Sequence, residues 1–192
     1  MGMPKIGMEP IRRDAIVKAT IAELGVQKSL DVTVSQIAKR AGMSSALAHH
    51  YFGGKDQIFL AAMRHILSEF GDEARAEMKG STPADRPQAI VRACFAHSCF
   101  TPDVIAAWMT FYVLSQTNDD ALRLWRIYQS RLYSNLVHAL RPVVRNPGEV
   151  ANDLRALIDG LYIQAALGAP GEPDLACAHA LRVLDTLIEA GR

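Results

Sequence analysis

Two sets of side chains in this sequence have the types and spacing to do chemistry. Thr33, Ser44, Ser45, His49, His50, Tyr51 and Lys55 are hydrogen-bonding side chains gathered in one short stretch. Hydroxyls, imidazoles and an ammonium without a long apolar surface suit contacts to phosphate oxygens, and the two imidazoles suit base edges in a DNA groove. The second set is aromatic. Trp108, Phe111 and Tyr112 recur at i, i+3 and i+4, Trp125 and Tyr128 at i and i+3, and Tyr162 follows Asp159 by three residues. Such stripes commonly make an ordinary core. Both tryptophans and several tyrosines fall in the same part of the chain, which points further, to a cage of ring faces. A cage of this kind holds a quaternary ammonium group, which has no proton to donate, by cation–π attraction.

Signatures of catalysis are missing. The sequence contains no Gly-x-Gly-x-x-Gly, no phosphate-loop lysine, no Gly-x-Ser-x-Gly and no His-Glu-x-x-His. No histidine has a glutamate three residues before it, as di-metal carboxylate bundles require. Cys94, His97 and Cys99 are ligand types, but on a helix Cys99 points roughly 140° away from Cys94 and no fourth partner is close in sequence. Neither an enzyme, a cofactor nor a metal site is expected.

Positioning the first set takes two short capped helices. Thr33 with Gln36 three residues later is a capping box, and Ile37 and Ala41 share a face. Gly42 ends that helix. Ser44 caps a second one, with Leu47 and Phe52 as its expected apolar face and Gly53-Gly54 as its stop. The result is a helix-turn-helix over residues 33–52. Ser44 and Ser45 then stand at a helix N-terminus, where free N–H groups and the helix dipole favour a phosphate. Lys39 and Arg40 flank it.

The remaining punctuation also belongs to helices. Residues 1–9, with Pro4 and Gly7, read as a loose arm, and a first helix runs from Pro10 to Gly25, burying Ile11, Ile16, Ala19 or Thr20, and Ala22 or Leu24. Arg12 and Arg13 fall in its first turn, the unfavourable end for cations unless a polyanion lies near or water solvates them. Asp56 opens a long helix to about Met78, with Ile58, Phe59, Ala62, Met63, Ile66, Leu67 and Phe70 along one stripe. At roughly 35 Å it is the expected mechanical link between the head and the remainder of the chain. Further helices are predicted from Thr82-Pro83-x-Asp85 to Phe100, Thr101-Pro102 to Leu114, Asn118 to just before Pro142, Asn146-Pro147 to Gly168 and Pro173 to Gly191. No stretch alternates with period two for long. The fold class is therefore all-α with about nine helices: a DNA-binding domain at 1–56 and a ligand-binding and dimerisation domain at 57–192.

The last two helices, about 149–168 and 173–190, carry more apolar surface than one packing partner covers. Leu154, Leu157, Ile158, Leu161 and Ala165 form a stripe with Gly160 and Gly168, and Leu175, Ala178, Leu181, Val183, Leu184, Leu187 and Ile188 cover more than one face. Packing within the chain or against a second copy would both answer this. A two-fold homodimer would present two reading helices to a pseudo-palindromic double-stranded DNA operator.

Composition agrees with a globular protein that meets nucleic acid at one end. The 192 residues are 49% hydrophobic and 21% charged. The net charge of +1 hides a split: residues 1–56 hold eight Lys/Arg against five Asp/Glu, a net +3, and the remainder is net −2. Three cysteines without framework spacing fit reduced thiols. The longest strongly apolar run, Val104 to Leu114, is too short to span a bilayer, which takes about 20 residues, and no secretory leader is visible. A soluble, cytoplasmic protein is expected.

The pattern I-A-x-R-A-G-x-S at 37–44 with H-Y-F-x-x-K at 50–55 resembles the DNA-reading motif of the tetracycline-repressor (TetR) family. That resemblance implies a ligand-released transcriptional repressor whose last two helices pair into a four-helix dimer interface. Within the family, the segments Met3–Met8, Pro10–Arg13, Ala107-Trp108 with Phe111, Ser134–Leu136, Leu157–Leu161 and Ala165–Leu167 look like the choline-responsive repressors of glycine betaine synthesis genes. The likeness covers nearly the whole chain and implies choline or its aldehyde as inducer. His49 departs from it, standing where the wider family commonly has Tyr, and operator preference is the property this departure touches. Two alternatives are a regulator of efflux or catabolic genes answering another cationic or aromatic ligand, and a helical small-molecule binder whose N-terminal hairpin is only an interaction module.

Overall fold

The computed structural model describes residues 7–168 and 172–191, and among them every regular element is a helix. The elements are α1 (Met8–Gln27), α2 (Val34–Arg40), α3 (Ser45–Phe52), α4 (Lys55–Met78), α5 (Arg86–Cys94), α6 (Pro102–Leu114), α7 (Asp119–Leu140), α8 (Pro147–Ala166) and α9 (Pro173–Ala190). Most starts are the predicted ones. Thr101 Oγ1 accepts from Val104 N at 3.3 Å to open α6, and Asn118 Oδ1 accepts from Ala121 N at 3.0 Å to open α7.

Four boundaries differ from expectation, at both ends of α1 and of α5. Helix α1 begins at Met8, so residues 8 and 9 are its first turn and not an arm; the predicted arm with Pro4 and Lys5 lies outside the described residues over 1–6. Gly25 does not end α1. A methyl group there would lie 1.8 Å from Asp103 Oδ1 and 2.9 Å from its Cα, so the glycine is the point where α1 touches the start of α6. The helix runs two residues further, to Gln27, and closes on Lys28 in the left-handed conformation. Helix α5 starts at Arg86 and stops at Cys94, well short of Phe100, because Asp85 belongs to a preceding turn and residues 95–100 turn again.

Helix α6 is the centre of the body. Val104, Ile105, Ala106, Ala107, Trp108, Thr110, Phe111 and Leu114 are all buried, which is nearly every direction around its axis. Helices α1, α4, α7 and α8 surround it. Outside them α5 packs between α4 and α9, and α8 lies against both α7 and α9. In α1 the inward face is Ile16, Val17, Ala19, Thr20, Glu23 and Leu24. Ile11, expected inside, is 53% exposed, since a five-residue offset from Ile16 is about 140° around a helix.

Candidate DNA-reading head and ligand site

The head forms because α2 is closed at both ends by its own residues. Thr33 Oγ1 accepts from Gln36 N at 3.2 Å while Gln36 Oε1 accepts from Thr33 N at 2.8 Å. Ile37 and Ala38 are buried, and Gly42 turns the chain with a positive φ of 68°. Ser44 Oγ then accepts from Leu47 N at 3.2 Å and leaves its own O–H free. The residue that seats α3 is Ala48, wholly buried, with Phe52 one turn on; the predicted pair Leu47 and Phe52 is five residues apart and so straddles the helix. His49 and His50 are exposed, and Ser45 is half-buried at the first turn.

Charged groups around the motif, Lys55 of the expected DNA contacts among them, also hold the head together. Arg12 Nη1 donates to the Tyr51 hydroxyl at 3.3 Å, and the Arg13 guanidinium stands 5.0 Å from the Phe52 ring centroid and 5.7 Å from that of Tyr51. The two arginines at the unfavourable end of α1 are thus retained by the aromatic end of α3. Lys55 Nζ donates to the Leu30 carbonyl at 2.7 Å and lies over Phe59, so one of its three protons is committed within the head. Arg40 Nε donates to Glu23 Oε1 at 2.6 Å, joining α2 to α1. Glu23 is only 8% exposed, and its partner, 17 residues away, has no local sequence signal.

In the body, Trp108 is the hub of the aromatic set. Its ring centroid lies 4.9 Å from Tyr128, 5.7 Å from Tyr112, 6.0 Å from Phe111 and 6.2 Å from Tyr162. Helices α6, α7 and α8 thereby bring five of the six predicted residues together. Phe95 and Phe100, which the sequence left out, join through Tyr162, at 6.1 and 4.8 Å. The Tyr162 hydroxyl sits 2.6 Å from the Cys94 carbonyl and 3.0 Å from that of Cys99. It caps the backbone where α5 breaks. Burial raises the pKa of Tyr162 and Tyr128 well above that of a free phenol, so both stay protonated.

Trp125 is the member that stands apart. Among the described residues it has no ring neighbour; it borders a groove of about 340 Å³ together with Tyr112, Ser115, Gln116, Leu122, Asp159 and Ile163. Asp159 is the polar centre of that region. Its Oδ1 accepts from the Tyr112 hydroxyl at 3.0 Å and its Oδ2 from Gln129 Nε2 at 3.3 Å, while Arg155 Nε donates to Gln129 Oε1 at 2.8 Å. Burial raises the Asp159 pKa, against the two hydrogen bonds and the Arg155 charge that lower it. Cys94 and Cys99 are buried thiols whose pKa is raised chiefly by burial, and no group of three metal-ligand side chains occurs among the described residues.

A capped helix-turn-helix resting on an all-helical body has direct relatives. Residues 16–62 match the model of bacterial regulatory proteins of the tetR family, and residues 83–190 match that of the C-terminal domain of BetI-type transcriptional repressors. The chain is a TetR-family repressor of the BetI type. It is 52% identical to the HTH-type transcriptional regulator BetI of Brucella melitensis biotype 2 over 182 residues, 93% of this chain and 91% of that relative. With BetI of Rhizobium meliloti it shares 45% over 168 residues, 86% of this chain and 83% of the other. Solved structures show the same fold. A transcriptional regulator from Rhodococcus sp. Rha1 superposes with a TM-score of 0.81 at 21% identity, covering 92% of this repressor and 95% of that chain. A transcriptional regulator from Saccharomonospora viridis in complex with choline gives 0.75 at 24% identity, over 92% and 95%. As TetR-family regulators do, the repressor binds operator DNA, dimerises and answers a small molecule. None of its described helices is long and apolar enough to cross a membrane.

Proposed function

We propose that this repressor is a homodimer released from a pseudo-palindromic operator by choline, and that it controls genes that convert choline to glycine betaine. The reading rests above all on one observation: four rings gather within 6.2 Å of Trp108, and the Asp159 carboxylate hydrogen-bonds one of them, Tyr112. Ring faces and a carboxylate are the two partners a trimethylammonium group has. The choline-bound Saccharomonospora viridis neighbour supports the same chemistry on this fold.

In this reading a head of residues 1–56 docks and a body of residues 57–192 senses and dimerises. Ser44, Ser45, Tyr51 and Lys55 hold phosphates, Thr33 joins them at the start of α2 by turning its hydroxyl from Gln36 Oε1, to which it donates at 2.7 Å in the single chain, and His49 and His50 reach base edges. The copies pair through α8 and α9, where Ile163 (43%), Leu167 (82%) and Leu175 (59%) keep their apolar surface exposed on the single chain. Inducer binding need only favour a conformer in which the two heads are mis-spaced for the operator.

Operator binding by the purified protein, followed by fluorescence anisotropy with increasing choline, betaine aldehyde or glycine betaine, tests the reading. Choline should release the DNA and raise the melting temperature of the free protein, and Trp108→Ala, which removes the ring that Tyr112 packs against, should weaken both responses. A repressor indifferent to all three compounds would overturn it.

A further inference from the structure

We propose that the trimethylammonium end of the inducer is read in the groove between Tyr112 and Trp125, and that Asp159 makes this groove accept a cation and refuse the zwitterion carrying a carboxylate. The inference rests on the choline reading and narrows it to one site and one selecting residue.

The rings around Trp108 pack on one another at 4.9–6.2 Å, and Trp108 itself is 5% exposed. A ligand entering there would first have to part them. Two grooves reach the aromatic set. One, of about 440 Å³ between α4 and α7, reaches Tyr128 but is lined by Arg64, Arg75 and Arg131. Among the described residues Arg75 alone of these pairs with a carboxylate, Asp72, so the walls are net cationic and repel an ammonium ion. The other, of about 340 Å³, has two ring faces from Tyr112 and Trp125 and a single charged side chain, Asp159. Charge alone therefore chooses the second.

The carboxylate is also held in place. Tyr112 and Gln129 donate one hydrogen bond to each oxygen, and Arg155 fixes Gln129 by bonding its other amide atom. Arg155 forms no ion pair with Asp159 among the described residues, although its charge favours the ionised carboxylate, and the carboxylate remains open to a ligand. A trimethylammonium alcohol brings a positive end and a neutral hydroxyl, for which the exposed Gln116 amide and the Ser115 oxygen, whose proton goes to the Phe111 carbonyl, line the groove. Oxidising that alcohol to an acid adds a carboxylate to the same small molecule, and Asp159 then meets a like charge at close range. The repressor would in this way sense the unoxidised compound and ignore the fully oxidised one.

Calorimetric titration of the full-length protein with choline, tetramethylammonium and glycine betaine separates the possibilities. The wild type should bind the two cations and prefer choline to glycine betaine by about tenfold or more. Asp159→Asn should weaken choline and shrink that preference severalfold, Asp159→Glu should keep the preference, and Trp125→Ala should weaken both cations. Operator affinity without ligand reports that each variant is folded. If the wild type binds no choline, the choline reading itself fails. If it binds choline and glycine betaine equally, or if Asp159→Asn binds choline and discriminates as the wild type does, the selecting role of Asp159 is overturned while the choline reading stands. Should Asp159→Asn not fold, Asp159→Ser takes its place, and discrimination equal to the wild type's would again overturn the selecting role of Asp159.

Discussion

Asn118 Nδ2 donates to Asp56 Oδ2 at 3.0 Å, linking residues that are 62 positions apart. Asn118 caps α7 just after the rim of the Trp125 groove, and Asp56 is the second residue of α4, next to Lys55. One hydrogen bond thus joins the ligand side of the body to the helix that leaves the head. Asn118→Asp keeps the cap, since its remaining oxygen still accepts from Ala121 N, but removes the donor and sets a like charge against Asp56. The bond is worth about 0.5–1.5 kcal/mol, so the factor by which choline weakens operator binding should fall severalfold. Anisotropy titrations with and without choline measure it.

A second junction is the contact of Gly25 in α1 with Asp103 in α6. Gly25→Ala should destabilise the protein by about 1–3 kcal/mol, although alanine is the better helix former by about 1 kcal/mol. The added methyl meets Asp103 backbone at 2.9 Å. Gly71→Ala in α4 is the control, because its methyl meets only the flexible end of Arg75 at 3.5 Å. That variant should be neutral or stabilised by up to about 1 kcal/mol. Thermal unfolding of the pair should show melting temperatures moving in opposite directions.

Lys55 has two jobs in the proposed complex, and they are separable. Lys55→Ala should lower the slope of log affinity against log salt by roughly 0.9 per subunit if a phosphate is lost. It should also loosen the head, since the Leu30 carbonyl loses a charged donor. A changed melting temperature with an unchanged salt slope would leave Lys55 only its structural part.

Gly160 tests the dimer through α8. A side chain there meets nothing within 4 Å in the single chain. Gly160→Glu should therefore leave the protomer folded while placing a charge in the proposed pairing face. Sedimentation should show dissociation to monomers, and operator affinity should drop with it, because each half-site contact would then have to form alone.

The raised pKa of Asp159 has a stability consequence with a definite sign. Its folded value lies above the ordinary 3.8, chiefly through burial. The folded state accordingly binds the proton more tightly than the unfolded chain. The stability this contributes is fully present below the unfolded pKa and is lost as pH rises through the folded one. Asp159→Asn does not titrate, so the stability of the variant relative to wild type should grow with pH across that window. Urea unfolding midpoints of both proteins at several pH values check this. Tyr112, Gln129 and Arg155 are the groups facing Asp159, and burial raises the Tyr112 pKa, so its phenol stays a donor across the window.

Helix starts were legible because the capping residue and the turn it closes are neighbours in sequence. Thr33 with Gln36, Ser44, Thr101 and Asn118 announce α2, α3, α6 and α7 within four positions each. The reading motif and the aromatic set were legible for the same reason, as local patterns of side-chain type. What α1 and α5 end on was not local. Gly25 looked like a stop and is a contact with Asp103, and α5 breaks where Tyr162, 68 residues beyond Cys94, takes up its carbonyl.

Local spacing alone therefore determined that this chain is a bundle of capped helices with a DNA-reading hairpin at one end and rings at the other. Only the tertiary structure decided which charges are already engaged, pairing Arg40 with Glu23, Arg12 with Tyr51 and Lys55 with the Leu30 carbonyl. It also separated Trp125 from Trp108 and placed Asp159 beside the groove. Those relationships depend on how helices cross, and a crossing is set by the shape of two packed surfaces rather than by the residues along either one.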